Sequence, residues 1–89
     1  MSITIHFGRV VRQLREEHRY SQEALADRAA LNRTYLGEVE RGVAVPSLST
    51  IAKIASALNL SASELIAHSE RQQKLIIPEQ GNPLLKTVV

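Results

Sequence analysis

The chain has 89 residues, enough for one small domain with a single modest core. It is 44% hydrophobic but only 3% aromatic, so aliphatic side chains and alanine must build that core, which favours helices over a sandwich or barrel. Cysteine is absent, excluding a disulfide framework or a thiolate metal site, and neither an apolar run of membrane-spanning length nor the charged-then-apolar order of a signal peptide occurs. The expected setting is therefore the cytoplasm.

Residues 1–5, "MSITI", are β-prone and expected to form a loose arm. Over residues 6–18, Phe7, Val10, Val11, Leu14 and His18 recur at helical spacing and mark one face of a first helix. Ser21 is a good N-cap for a second helix over residues 22–29, with Leu25, Ala26 and Ala29 inward. Asn32 caps a third helix over residues 33–41, and Gly42 is placed to stop it. After the loop "GVAVPS", Ser47 opens a fourth helix at 48–58, whose stripe is Leu48, Ile51, Ile54, Ala55 and Leu58. Ser61 and Glu64 have capping-box spacing for a fifth helix, expected to fray through "HSERQQ". Residues 75–89, "LIIPEQGNPLLKTVV", carry two prolines and no helical stripe, and read as an extended apolar arm. The expected class is all-α, five helices in residues 1–69 and a C-terminal arm over 70–89.

The third helix breaks two helix rules. Arg33 stands in the first turn, where the macrodipole disfavours a cation by roughly 0.3–1 kcal/mol. Gly37 stands mid-helix, at a cost of about 1 kcal/mol relative to alanine. On a wheel of about 100° per residue, Leu36 and Val39 face the core, Glu40 lies at its edge, and Thr34, Gly37, Glu38 and Arg41 face outward, with Arg33 and Tyr35 on the flanks. A bare glycine there lets a partner approach, and an arginine at a helix N-terminus makes sense where that end faces phosphates. Arginine, threonine and glutamate are side chains that read base edges in a major groove. The same side chains also suit an ordinary solvent-facing surface. A carboxylate at position 40 needs a partner, for which Arg15 is the candidate.

The stretch "YSQEALADRAALNRTYLGEVERG" followed by "PSLSTIAKIASALNLSASELI" resembles the Xre family, the lambda-repressor-like helix-turn-helix proteins, over about residues 6–68. Within it the likeness is greatest to the controller proteins of restriction–modification systems, with small phage-type repressors nearly as similar. The resemblance implies that helix two lies across the DNA backbone and helix three enters the major groove. It places Arg33, Thr34 and Glu38 at base-facing positions and Gln22, Tyr35 and Arg41 on the backbone. It makes Arg15 and Glu40 an internal ion pair, and it puts Leu25, Ala26, Leu36, Val39 and Ile51 in the core. Two departures stand out. Arg19 and Ala30 occupy turns where the family often has glycine, so these turns are expected either to strain a left-handed backbone or to be built differently.

The function expected from these features is sequence-specific binding of double-stranded DNA by a homodimeric transcriptional regulator. A single small module makes too few base contacts, so two half-sites are needed. Leu60, Leu65 and Ile66 on helix five are the expected dimer surface, unless they only complete the monomer core. The rival is an antitoxin-like interaction module whose arm, residues 70–89, binds a protein partner. An enzyme is not expected: there is no glycine-rich phosphate loop or nucleophile motif, and no cofactor is implied. His6, His18 and His68 have no metal-ligand spacing and read as surface or core-edge residues.

Overall fold

The computed structural model describes residues 2–76, which form five α-helices: α1 (Ile3–Glu17), α2 (Gln22–Ala29), α3 (Arg33–Arg41), α4 (Leu48–Ala57) and α5 (Ala62–Ile76). No strand occurs among the described residues, in agreement with the all-α expectation. Side-chain caps open the first four helices: Ser2 accepts from the Ile5 amide, Ser21 from Ala24, Asn32 from Tyr35 and Ser47 from Thr50. Such a cap is worth about 1 kcal/mol. At α5 the capping box is reciprocal. The Ser61 amide donates to Glu64 Oε1 at 2.8 Å, and the Glu64 amide donates to Ser61 Oγ at 3.1 Å. The bond from the Ser61 amide holds the Glu64 carboxyl below its ordinary pKa.

Helices α1 to α4 share one device at their C-termini. After α1, Tyr20 N donates to Arg15 O at 3.0 Å and Arg19 N to Glu16 O at 2.9 Å, closing a 6→1 and a 5→2 ring about a residue with φ 61°. The same pair of bonds closes about Ala30 after α2 (φ 56°), Gly42 after α3 (φ 77°) and Asn59 after α4 (φ 63°). These are Schellman ends, in which a left-handed residue satisfies carbonyls the helix leaves over. The expected strain at Arg19 and Ala30 is therefore present. The rings offset it, and so do the apolar residues that follow: Tyr20, Leu31 and Leu60 all pack on the core.

Helix α1 packs against α3 and α5, α2 against α3 and α4, and α4 against α5. Their shared core is aliphatic, with Val11, Leu25, Leu36, Val39, Ile54 and Leu65 fully enclosed. Each such side chain contributes roughly 1.5–3 kcal/mol by leaving water. The short pair α2–α3 is thus held by tertiary packing rather than by its own helical stability.

Four expectations are corrected. Residues 3–5 belong to α1 rather than to a loose arm, because Ser2 caps the helix and Thr4 and Ile5 are half-buried. Leu48 is not on the inward stripe of α4. It is 83% exposed at the first position of α4, whose inward side begins with the buried Thr50 and Ile51. Helix α5 does not fray through "HSERQQ": Ser69 is fully buried and satisfied by donating to Leu65 O at 3.0 Å, and the helix runs on to Ile76, through the expected arm boundary at residues 69 and 70. His6 is neither a surface nor a core-edge residue but is enclosed in the core. The rest of the arm, residues 77–89, lies outside the described residues.

Candidate nucleic-acid interface

Helix α3 presents two opposite surfaces. Leu36 and Val39 are completely buried, while Arg33 and Thr34 in the first turn are exposed and Glu38 is half-buried. The Asn32 cap fixes that first turn, with its Oδ1 accepting from Tyr35 N at 3.1 Å. Tyr35 lies with its ring against the core and its hydroxyl 3.5 Å from Thr50 Oγ1, which also accepts from Ser47 Oγ at 3.1 Å. Its phenol tip is thereby directed to the start of α4.

Beneath the last turn of α3 lies a buried polar network. Arg15 from α1 forks onto the Glu40 carboxylate, Nε to Oε2 at 2.7 Å and Nη2 to Oε1 at 3.0 Å. Its remaining nitrogen, Nη1, donates to Tyr20 O at 2.8 Å, in the turn that leads into α2. Gln22, the first residue of α2, donates from Nε2 to Glu40 Oε1 at 3.0 Å. Glu40 is 7% and Arg15 9% exposed, so the pair is buried and charge-assisted. The bond to Glu40 raises the Arg15 guanidinium above its ordinary pKa. The Arg15–Glu40 pair thus ties together the end of α1, the α1–α2 turn, the start of α2 and the end of α3.

The expected pair Arg15–Glu40 is formed, and Gln22 joins it, a contact the sequence did not disclose. Gln22 and Arg41 both extend over Gly37. That glycine is not bare, as the wheel had it: a Cβ built there would lie 3.4 Å from Arg41 Nη1 and 3.6 Å from Gln22 Oε1. Glycine at 37 leaves room for two polar side chains of the protein itself. Leu65 is corrected as a dimer residue, because it is completely buried in its own core, out of reach of a second copy. Leu60 and Ile66 are half-buried against that core.

Gly8 was overlooked. It is buried on α1, and a Cβ there would stand 2.4 Å from Val39 O and 2.6 Å from Glu40 O. Only glycine lets α1 touch the backbone of α3. A usable signal existed: position 8 shares the helical stripe of Val11 and Arg15, so a glycine in that stripe marks a close crossing.

Among the described residues no helix is long and apolar enough to cross a membrane, and no cluster of metal-ligating side chains is found.

A family model described as helix-turn-helix matches residues 11–65. The chain is 36% identical over 74 residues to the immunity repressor protein of Bacillus phage phi105, covering 83% of this chain and 49% of that one. It is thus aligned to about half of the phage protein's length. It is 41% identical over 66 residues to the control protein C.BamHI of Bacillus amyloliquefaciens, covering 73% and 82% of the two chains. Among solved structures, the restriction-modification controller protein C.AhdI from Aeromonas hydrophila is similar with a TM-score of 0.68 and 44% identity, over 70% of this chain and 94% of that one.

Proposed function

The chain belongs to the helix-turn-helix family of DNA-binding transcriptional regulators, and we propose that it acts as a homodimer on an operator of two half-sites, with α3 in the major groove. The observation that carries this is the two-sided build of α3: Leu36 and Val39 locked in the core, Arg33 and Thr34 displayed to solvent from a capped first turn. Arg33, Thr34 and Glu38 are the base-reading residues, and Gln22, Tyr35 and Arg41 hold the backbone. In such an arrangement phosphate contacts set register while base-edge contacts carry sequence. The similarity to controller proteins supports transcriptional regulation in a restriction–modification setting, exerted on DNA in the cytoplasm by binding and without catalysis. Apolar side chains left for a second copy are the half-buried Leu60 and Ile66 and the exposed Val43, Val45 and Leu48.

Selection of duplexes from a random pool, with sedimentation of the protein alone and with the selected duplex, tests the reading. A palindromic site bound by two chains is the expected result. Arg33→Ala should then lower the preference for the selected duplex over a scrambled one by about 1–3 kcal/mol, the worth of a good bidentate base contact. Equal losses on both duplexes contradict base reading by Arg33.

A further inference from the structure

We propose that the apolar groove between the start of α1, the α3–α4 loop and α5 is the docking site for the chain's own C-terminal segment, residues 84–89, "LLKTVV". The proposal stands apart from the DNA-binding reading above, because none of the residues assigned to DNA lines this groove.

The groove is built from four parts of the chain. Ile3 and Phe7 of α1, Val45 and Pro46 of the loop, Ile51 of α4 and Ile66 of α5 line it, with Thr4 as the polar residue in its wall and no charged side chain. Its volume is about 140 Å³, on the order of a cavity that admits a benzene-sized body, so it suits a few aliphatic side chains rather than a folded surface. Apolar exposure is concentrated around it. Ile3, Val43, Val45 and Leu48 are the exposed large hydrophobic residues among the described ones. Ile3 and Val45 line the groove, and Val43 and Leu48 stand close to Val45 in the chain. Such a cluster marks a surface meant to be covered.

The occupant follows from composition and reach. Residues 84–89 carry the aliphatic Leu84, Leu85, Val88 and Val89 and a single charged side chain, Lys86. Pro78, Gly81 and Pro83 precede them, and these residue types favour a change of chain direction over further helix. Ile66 lies about 15 Å along α5 from its last residue, Ile76, at about 1.5 Å per residue. From Ile76 to Leu84 the chain can span about 26 Å at about 3.3 Å per residue. The segment therefore reaches the groove of its own domain with slack. Tethering presents it there at an effective concentration on the order of millimolar, which a second copy or a foreign partner would have to exceed. The other cleft within reach, about 270 Å³ between α1 and α5, is lined by Gln13, Glu17, His68, Arg71 and Gln72 beside Val10 and Leu14, and asks for polar and charged partners that the segment lacks. Docking in the apolar groove leaves Val43, Leu48 and Leu60 for a second copy.

The experiment uses the full chain with isotope-labelled Ile, Leu and Val methyl groups. Nuclear Overhauser contacts are expected from the methyls of residues 84–89 to those of Ile3, Val45, Ile51 and Ile66, and they should persist on dilution. A mixture of labelled and unlabelled chains should show no such contacts between chains. Trypsin gives a second reading, because Lys86 lies inside the segment and its cleavage follows the undocked population. Ile3→Asp combined with Val45→Asp should speed cleavage after Lys86 roughly tenfold, the factor that corresponds to burying one leucine-sized side chain. Both positions are exposed, and an acid in the first turn of α1 suits the helix dipole, so the fold is kept. Val45→Asp alone should act in the same direction. Contacts from the segment to Val10 and Leu14 instead, contacts only between chains, no contacts at all, or an unchanged cleavage rate overturns the proposal. Each of these outcomes leaves DNA recognition by α3 standing.

Discussion

The two glycines inside helices invite opposite predictions from the same substitution. In Gly8→Ala the new Cβ would sit 2.4 Å from Val39 O, and 3.0 Å is the least a real Cβ tolerates, so α1 must move off α3 by at least 0.6 Å. The obstacle is helix backbone on one side, and on the other α1 is held by its packing on α5. Neither yields as a side-chain tip does. Overpacking of this kind costs about 1–3 kcal/mol, here toward the upper end, against about 1 kcal/mol regained in helix propensity. The net loss is about 1–2 kcal/mol, a fall in Tm of roughly 4–16 °C for a domain of this size. In Gly37→Ala the nearest atom, Arg41 Nη1, is 3.4 Å away at the end of a flexible side chain. That variant keeps the propensity gain and should melt several degrees above wild type. Thermal and urea unfolding followed by circular dichroism gives both values, and comparing the pair removes the common propensity term. A Gly8→Ala protein as stable as wild type would show that α1 and α3 are not in backbone contact.

Glu40→Gln should unfold at lower urea than Glu38→Gln, by up to about 3–5 kcal/mol, because it leaves the Arg15 charge buried without its counter-charge; equal midpoints for the two would mean the pair is not buried. Arg19→Gly should stabilise by about 0.5–1 kcal/mol, since the left-handed backbone at φ 61° carries no side-chain bond among the described residues that glycine would forfeit; a lower midpoint would refute this. His6 is enclosed with Nδ1 unpaired among the described residues, and burial, then the charge of Arg9, push its pKa below the ordinary 6.5. The unfolded chain therefore binds the proton more readily than the folded one, so stability is full above about pH 6.5 and falls as the pH drops below it. His6→Leu should flatten the urea midpoint between pH 7 and 5.5; an unchanged fall in that variant would assign the dependence to other groups.

Most of the architecture was legible because local and global signals agree. Ser21, Asn32, Ser47 and Ser61 cap helices as their positions imply, and the apolar stripes of α2 and α3 are the buried ones. Failures occurred where tertiary contact overrides a local preference. Residues 3–5 are β-prone, yet Ile5 packs against Gly42, with Cγ1 3.0 Å from that glycine's Cβ position, and the segment is helical. Polar residues 68–73 look like a fraying end, but packing of α5 on α1 and the self-satisfied Ser69 carry the helix onward. The wheel placed Glu40 correctly at the edge of the core and Gly37 incorrectly in the open. A wheel knows only its own helix and not where its side chains fold, and Gly37 is covered by Arg41 of α3 and by Gln22 of α2.

The turns show why Arg19 and Ala30 do not threaten the fold. A left-handed residue with a side chain costs roughly 1–2 kcal/mol, yet each such residue here is followed by an apolar one that packs against the core. Tyr20, Leu31 and Leu60 pack inward in the position after Arg19, Ala30 and Asn59. After Gly42, where no side chain needs compensation, the following Val43 is 68% exposed. The hydrophobic partner is thus present where the left-handed residue is costly and absent where it is free. Arg15 adds to this at the first turn, since its Nη1 bond holds Tyr20 O while its other two nitrogens hold Glu40. A well-packed hydrophobic pair of similar volume can match a buried ion pair in stability. It could not also accept from Gln22 and donate to a turn carbonyl. What the ion pair adds beyond burial is position: it sets the start of α2 against the end of α3, the two places from which this chain is proposed to grip the DNA backbone.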